Sequence, residues 1–296
     1  MPSKGKQLKD LINAPKILIA PGVYDGYSVR LLEKLGFQSG SISGAGVSES
    51  HLGWADRGVM NYGDNVATCR QLAACTNLLL QGDADTGYGN AMNVFFTVRG
   101  FEDAGLAAVM IEDQIWPKRC GHMSGKAVIP AEDMVLKVKA AVEARRDPDF
   151  VIKARTDAAG PLGVEEAIRR LNLYAEAGAD ALYADALLSA KDIERVARNV
   201  PKPLVVNMGL GIRSRPTTPL MSPRQLEEAG VAQVSYPRLL TTAALKGMMN
   251  AMQVFMDEVV GKNAVVDRPD LVASFDEIND LMGMSFLEQL EKKFSA

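Results

Sequence analysis

Two patterns of apolar residues alternate along the chain. Short, nearly continuous apolar runs recur at Ile17–Pro21, Phe37–Ser43, Leu78–Asp83, Ala107–Glu112, Phe150–Arg155, Ala181–Ala184, Leu204–Asn207 and Ala232–Tyr236. Between several of them the apolar positions repeat at helical spacing, as with Val94, Val98 and Phe101, or Val164, Ala167, Ile168 and Leu171. Runs that do not alternate with polar residues read as strands buried on both faces, and the amphipathic stretches between them read as covering helices. Four junctions carry a glycine between the helical stretch and the next run: Leu35-Gly36-Phe37, Ala104-Gly105-Leu106, Ala177-Gly178-Ala179 and Ala229-Gly230-Val231. Glycine there accommodates the left-handed residue that commonly ends a helix. Eight strands, mostly followed by helices, predict an α/β fold of the (β/α)8 TIM-barrel type. An open doubly wound sheet is the alternative, but no G-x-G-x-x-G follows the first strand.

The pattern changes at both ends. Residues 1–16 read as a short polar lead-in helix, and Leu239–Val260 as one long helix with Leu240, Leu245, Met248, Met252 and Phe255 among its apolar residues. A linker over Lys262–Pro269 precedes two short helices across Asp270–Ala296, hinged at Gly283. We therefore read 1–296 as a single barrel domain, with the barrel proper over 1–260 and a helical extension over 261–296. Core packing is the first explanation for Met248, Met249, Met252 and Met256, and a subunit interface is the second.

Composition narrows the function. A hydrophobic fraction of 47% supplies a full core, and a net charge of −3 gives no basic field for nucleic acid or anionic membrane. No run approaches the roughly 20 apolar residues of a membrane span. The start, Met1-Pro-Ser-Lys-Gly-Lys-Gln-Leu-Lys-Asp10, holds no apolar signal core. Cys69, Cys75 and Cys120 form no paired spacing, which argues for a reducing cytoplasm and against a disulfide framework or a zinc site.

Barrels of this kind place their chemistry at the carboxyl ends of the strands. Ser43, Asp83, Asp85, Glu112, Arg155, Asp185, Asn207 and Tyr236 fall at those ends. Asp83-Ala-Asp85 would present both carboxylates on one side if the strand continued through them, with Glu112 converging from the next strand. Like charges so close call for protons or a cation. An all-oxygen set favours Mg2+ or Mn2+ over zinc, while a solvated acidic loop is the alternative. Cys120 stands among Lys118, Arg119 and His122, a setting that lowers a thiol pKa and suits it to exchange a proton with carbon. A surface cysteine in a basic loop would look the same. Arg155 could clamp a carboxylate or form a structural salt bridge with Asp157 or Asp185. Ser43-Gly-Ala-Gly46 could offer backbone N–H groups to an anion or be a plain turn. Asp56, in the loop that also carries His51, could reach a metal-bound water. His51 itself reads as structural.

At these residues the chain resembles the isocitrate lyase/phosphoenolpyruvate mutase superfamily, over about residues 5 to 290. The motifs are Ser43-Gly-Ala-Gly46, Asp83-Ala-Asp-Thr-Gly-Tyr-Gly89, Ile111-Glu-Asp-Gln114, Lys118-Arg-Cys-Gly-His122 and Ala154-Arg-Thr-Asp157. The Lys-Arg-Cys-Gly-His run is similar to the catalytic loop of the short lyase branch, which includes 2-methylisocitrate lyase, 2,3-dimethylmalate lyase and oxaloacetate hydrolase. The mutase branch lacks that cysteine. The resemblance implies a barrel whose last helix is swapped between subunits, usually in a homotetramer built as a dimer of dimers. It implies Mg2+ at Asp83 and Asp85 with Glu112 supporting its water shell. Small-carboxylate contacts would come from Ser43, Gly44, Ala45, Gly121, His122, Arg155 and Asn207, with Cys120 as the acid/base. The implied reaction is carbon–carbon cleavage of a 2-hydroxy or 2-oxo di- or tricarboxylate. Oxaloacetate hydrolysis or decarboxylation, and phosphonopyruvate-type P–C chemistry, are the alternatives. The chain departs from methylisocitrate lyases in three places. Asn207-Met-Gly-Leu210 lacks their glutamate, Asp185 replaces another, and Arg238 is the nearest arginine to the one they carry near Thr242. With Arg213 and Arg215, these residues bear on the choice of substrate and leave the reaction class untouched.

Overall fold

The structure, a computed structural model, describes residues 2–119, 125–210 and 218–295. Eight strands, β1 (Leu18–Val23), β2 (Ser39–Ile42), β3 (Leu79–Asp83), β4 (Ala108–Glu112), β5 (Val151–Thr156), β6 (Ala181–Ala184), β7 (Leu204–Asn207) and β8 (Gln233–Tyr236), pair in sequence order. Every pairing is parallel, and β8 returns to β1 to close the barrel. Each of the eight apolar runs gave a strand. The first differs in extent: β1 continues through Pro21 and Gly22, which the sequence reads as its end. Gly22 runs so close to the residue after β8 that a Cβ on it would lie 2.5 Å from the Pro237 backbone, so the absence of a side chain lets the strand go on.

Helices fill the outside: α1 (Lys4–Ile12), α2 (Gly26–Lys34), α3 (Gly44–Val47), α4 (Tyr62–Ala74), α5 (Ala91–Asp103), α6 (Ala131–Ala144), α7 (Ala159–Leu162), α8 (Val164–Glu176), α9 (Ala190–Arg198) and α10 (Pro223–Glu228). Local chemistry fixes their ends. Reciprocal capping boxes start α2 (Asp25 with Ser28), α4 (Asn61 with Asp64), α5 (Asn90 with Asn93) and α10 (Ser222 with Gln225). Each such cap contributes about 1 kcal/mol. The four junction glycines, Gly36, Gly105, Gly178 and Gly230, all adopt positive φ, between 80° and 104°. The core lies between barrel and helices. Val94, Val98 and Phe101 of α5 are fully buried, and Phe101 occupies the space a side chain on Gly82 would need. Cys69 is likewise fully buried on α4, consistent with plain packing.

The lumen is layered. At its amino-terminal end Leu8 and Ile12 of α1 plug the barrel against Leu18, Leu79, Ala107, Ala108 and Val151. Above the plug lies a polar layer that sequence patterning did not reveal. Lys153 donates to Gln81 Oε1 and to Gln233 Oε1 (2.7 Å), and Gln81 Nε2 donates to Ser39 Oγ (2.6 Å). Its hydrogen-bond partners are neutral, and burial pushes its pKa down to about 7. Tyr183, Val205, Ala181 and Met110 pack beside this layer.

After β8 the chain continues into α11 (Leu239–Val254), a π-helical segment Phe255–Val260, α12 (Phe275–Met282) and α13 (Met284–Phe294). Gly283 separates the last two at φ 75°, as expected. The methionines correct the first reading of them. Met248, Met249, Met252 and Met256 are each at least half exposed, and α11, α12 and α13 bury no residue fully, so core packing within this chain does not account for them. Among the described residues no helix is long and apolar enough to cross a membrane.

Lys153 gives this lumen a pH signature. Below about pH 7 the amine is protonated folded and unfolded, and the full cost of burying the charge is present. Between pH 7 and 10.5 the unfolded chain holds the proton and the folded one does not, so stability rises with pH. Urea unfolding of wild type and Lys153→Met across that window should show the rise in wild type and a flatter profile in the variant. Parallel profiles would contradict this assignment.

Candidate active site

The carboxyl ends of the strands open into one cavity. Ser43, Ala45, Asp56, Asp83, Glu112, Lys118, Arg119, Arg155, Asp185, Asn207 and Arg238 line it, and Lys153, Gln81 and Gln233 reach it from below. Strand position explains most of this set. Asp83, Glu112 and Asn207 are the last residues of β3, β4 and β7, Arg155 is the last but one of β5, and Asp185 directly follows β6. Glu112 and Arg155 are cross-strand partners in register.

Asp83 and Asp85 do not share a face through strand alternation. The strand ends at Asp83, and Asp85 turns into the left-handed region at φ 49°. Asp83 Oδ1 accepts the Asp85 amide at 3.1 Å and so closes the turn. Ser43 is an N-cap, its Oγ accepting from the Gly46 amide (3.1 Å), so the small-residue motif is the first turn of α3 rather than a loop. Gly44 on that turn comes so near the acidic pair that a Cβ would lie 2.9 Å from Asp83 Oδ2 and 3.5 Å from Asp85 Oδ1. Any other residue would push a side chain between the helix turn and the carboxylates.

Lys118 stands in the middle of the acidic side. Its Nζ lies 2.5 Å from Asp56 Oδ1 and 2.7 Å from Asp85 Oδ1, with all three side chains buried. Burial opposes its charge, but Asp85, Asp56 and Glu112 outweigh that and hold the ammonium firmly protonated. This is a different use for Lys118 from lowering the thiol pKa of Cys120. Burial pushes the Asp85 carboxyl up, an effect that Lys118 only partly offsets. Burial raises Glu112 too, against the pull of Arg155. Both Asp85 oxygens and Glu112 Oε1 are buried without a hydrogen-bond donor, Asp85 Oδ1 meeting the Lys118 ammonium only as an ion pair. Among the described residues no three His, Cys, Asp or Glu side chains form a ready-made metal cage. The donor chemistry nevertheless fits a hard divalent cation: only carboxylate oxygens, three of them lacking hydrogen-bond donors inside the protein.

On the opposite side Arg155 is already paired. It forms a fork with Asp157 (2.8 and 2.9 Å) and lies 3.2 Å from Glu112 and 3.3 Å from Asp185. Both salt bridges raised as alternatives to a carboxylate clamp are therefore present. Lys126 joins them, its Nζ 2.7 Å from Asp157 and 3.3 Å from Asp185. Behind the cavity Asp113, fully buried, accepts from Thr156 Oγ1 (2.7 Å), the Asp157 amide (2.9 Å), Tyr174 Oη (2.8 Å) and Arg170 Nη1 (3.1 Å). Asn207 Oδ1 accepts from Ser235 Oγ (2.8 Å), and Arg238 pairs with Glu49 (2.7 Å). His51 is exposed on the π-helical turn Ser48–Leu52.

Cys120, Gly121, His122, Arg213 and Arg215 lie outside the described residues. Nothing in the sequence places Lys118, Lys126 and Asp113 where the fold puts them. Their signal was weak: two lysines bracketing the Cys-Gly-His segment, and a second carboxylate next to Glu112.

Comparison with known proteins gives a consistent result. The phosphoenolpyruvate phosphomutase family model matches residues 8–256. The chain is 35% identical to 2,3-dimethylmalate lyase of Eubacterium barkeri over 289 residues, 98% of this chain and 97% of that protein. Oxaloacetate acetylhydrolase, solved with the inhibitor 3,3-difluorooxalacetate, superposes with a TM-score of 0.91 at 29% identity, covering 98% of this chain and 97% of its own. Phosphonopyruvate hydrolase, solved with oxalate and Mg2+, superposes with a TM-score of 0.84 at 26% identity over the whole of both chains.

Asp113 tests the frame behind the cavity. Asp113→Asn keeps the shape but removes the charge that faces buried Arg170, and should destabilise the fold by roughly 3 kcal/mol. Chemical denaturation reads this directly. A loss within experimental error of zero would mean that Glu166, which also pairs with Arg170 (2.8 Å), carries the guanidinium alone.

Proposed function

The chain belongs to the phosphoenolpyruvate phosphomutase family, within the isocitrate lyase/phosphoenolpyruvate mutase superfamily, and from that premise we propose that it is a carbon–carbon lyase. It acts on a 2-hydroxy or 2-oxo di- or tricarboxylate and releases an α-keto acid and a second carboxylate. The observation that carries this reading is the cavity itself. Donor-poor buried carboxylates at the ends of β3 and β4 face a buried guanidinium from β5. The likeness to a dimethylmalate lyase over nearly the full length supports it.

Asp83 and Asp85 would hold Mg2+ (or Mn2+), with Glu112 and Asp56 supporting its water shell. When bound, the ion would polarise the substrate's α-carboxylate and neighbouring oxygen as a Lewis acid. The protein's own groups do the rest. Arg155 balances charge on a substrate carboxylate, and its bonds to Asp157 and Asp185 hold the guanidinium in place. Ser43, Gly44 and Ala45 on the first turn of α3, Gly121 and His122 on the segment after Arg119, and Asn207 at the end of β7 orient the substrate. In a 2-hydroxy acid the hydroxyl proton passes through a water beside Glu112 or Asp56 to that carboxylate, and the adjacent C–C bond breaks. Its electron pair leaves on the departing carboxylate fragment as a carbanion, and the Cys120 thiol donates its proton to that carbon. The half-exposed methionines of α11 and the apolar residues of α12 and α13, among them Phe275 and Phe286, are read as the surface of a helix-swapped homotetramer of a cytoplasmic enzyme.

Two measurements test the proposal. Purified protein with Mg2+ is assayed against 2,3-dimethylmalate, 2-methylisocitrate, oxaloacetate and phosphonopyruvate, following pyruvate and oxalate. Keto-acid release from one of the first two is expected. Turnover of phosphonopyruvate alone would move the reading to P–C chemistry, and oxalate from oxaloacetate alone to hydrolysis. In the active pairing, Cys120→Ser should lower kcat by at least a hundredfold while product binding by calorimetry stays near wild type. A fully active variant would remove Cys120 from proton transfer.

A further inference from the structure

The Lys118 ammonium sits where a cation belongs. It comes from the segment between β4 and α6, is buried, and touches Asp56 and Asp85 at ion-pair distance. It faces Asp85 Oδ1, while Asp85 Oδ2 has no donor and Asp83 Oδ1 is spent on the Asp85 amide. Gly44 closes the other side of the acidic pair with backbone. A divalent ion drawn to Asp85 would therefore arrive beside a positive charge that shares its carboxylate, in a site with little water to screen the two.

We propose that Lys118 is a built-in counter-ion that compensates Asp85 and Asp56 without metal, and that a divalent cation must displace it from Asp85 in order to bind. The inference rests on reading Asp83 and Asp85 as the metal's carboxylates. It concerns the competition for them, which that reading does not address. The ammonium pairs with one carboxylate oxygen in each of two residues, whereas Mg2+ demands several oxygens at short, octahedral distances. The two ions therefore suit different states of one carboxylate set. The protein keeps the carboxylates buried in both states because one cation or the other is always present.

The test uses the full-length protein and two readouts that do not involve turnover. Calorimetric titration with MgCl2 compares wild type with Lys118→Met. The variant should bind Mg2+ at least tenfold more tightly, and its Tm should lie below wild type without metal and recover at saturating Mg2+. Equal or weaker affinity in the variant overturns the competition while leaving the metal reading intact. Absence of Mg2+ binding in both proteins overturns the metal reading as well. The second readout needs no variant and stands even if Lys118→Met folds poorly. Brief acetylation of wild type with acetic anhydride is quantified by mass spectrometry at Lys118 relative to exposed Lys202. Labelling of Lys118 should rise severalfold when Mg2+ is added, and unchanged or reduced labelling overturns the displacement.

Discussion

Carboxylates removed from water in one place repel one another, and the functional end of this barrel is built around that repulsion. Asp56, Asp83, Asp85, Glu112, Asp157 and Asp185 gather where the strands end. A group of this kind stays ionised only if cations are buried with it. Lys118 serves the β3 side, and Arg155 with Lys126 serves the β5 and β6 side. Residues that look like separate motifs along the chain are thus halves of one charge balance. The segment that begins at Lys118 and ends at Lys126 contributes a cation to each half.

The barrel was legible because its signals are local and redundant. Apolar runs give buried strands, and a glycine that must take positive φ marks the helix ends. Eight such units in order leave few other topologies. What was not legible depended on contacts between distant residues. Pro21 and Gly22 look like a strand terminator until Pro237 is seen to need the room beside Gly22. The two aspartates of Asp83-Ala-Asp85 look like alternating strand residues, yet the chain turns between them. The same limit applies to Lys153: nothing in a six-residue strand tells that its lysine faces two glutamines across the lumen.

Candidate site residues were legible as a list and illegible as a circuit. Polar residues at strand ends could be found from the strands alone, because the fold sends those positions to one place. Which carboxylate each cation chooses could not. In one dimension Lys118 is known only by its neighbours in sequence. In three, the chain carries its ammonium back to Asp56 and Asp85. The methionines of α11 differ from expectation for a related reason: the spacing of apolar residues marks a helix face without showing whether the barrel of the same chain covers it.

Asp113 joins the end of β5, through Thr156 and the Asp157 amide, to Arg170 and Tyr174 on α8. The backbone that presents Arg155 is thereby held from outside the barrel, by bonds that no ligand in the cavity touches. Side chains facing the cavity can be exchanged without loosening the support on which they stand. The ends of β7 and β8 stand apart from this anchor, so residues there can change while the backbone that presents Arg155 keeps its place.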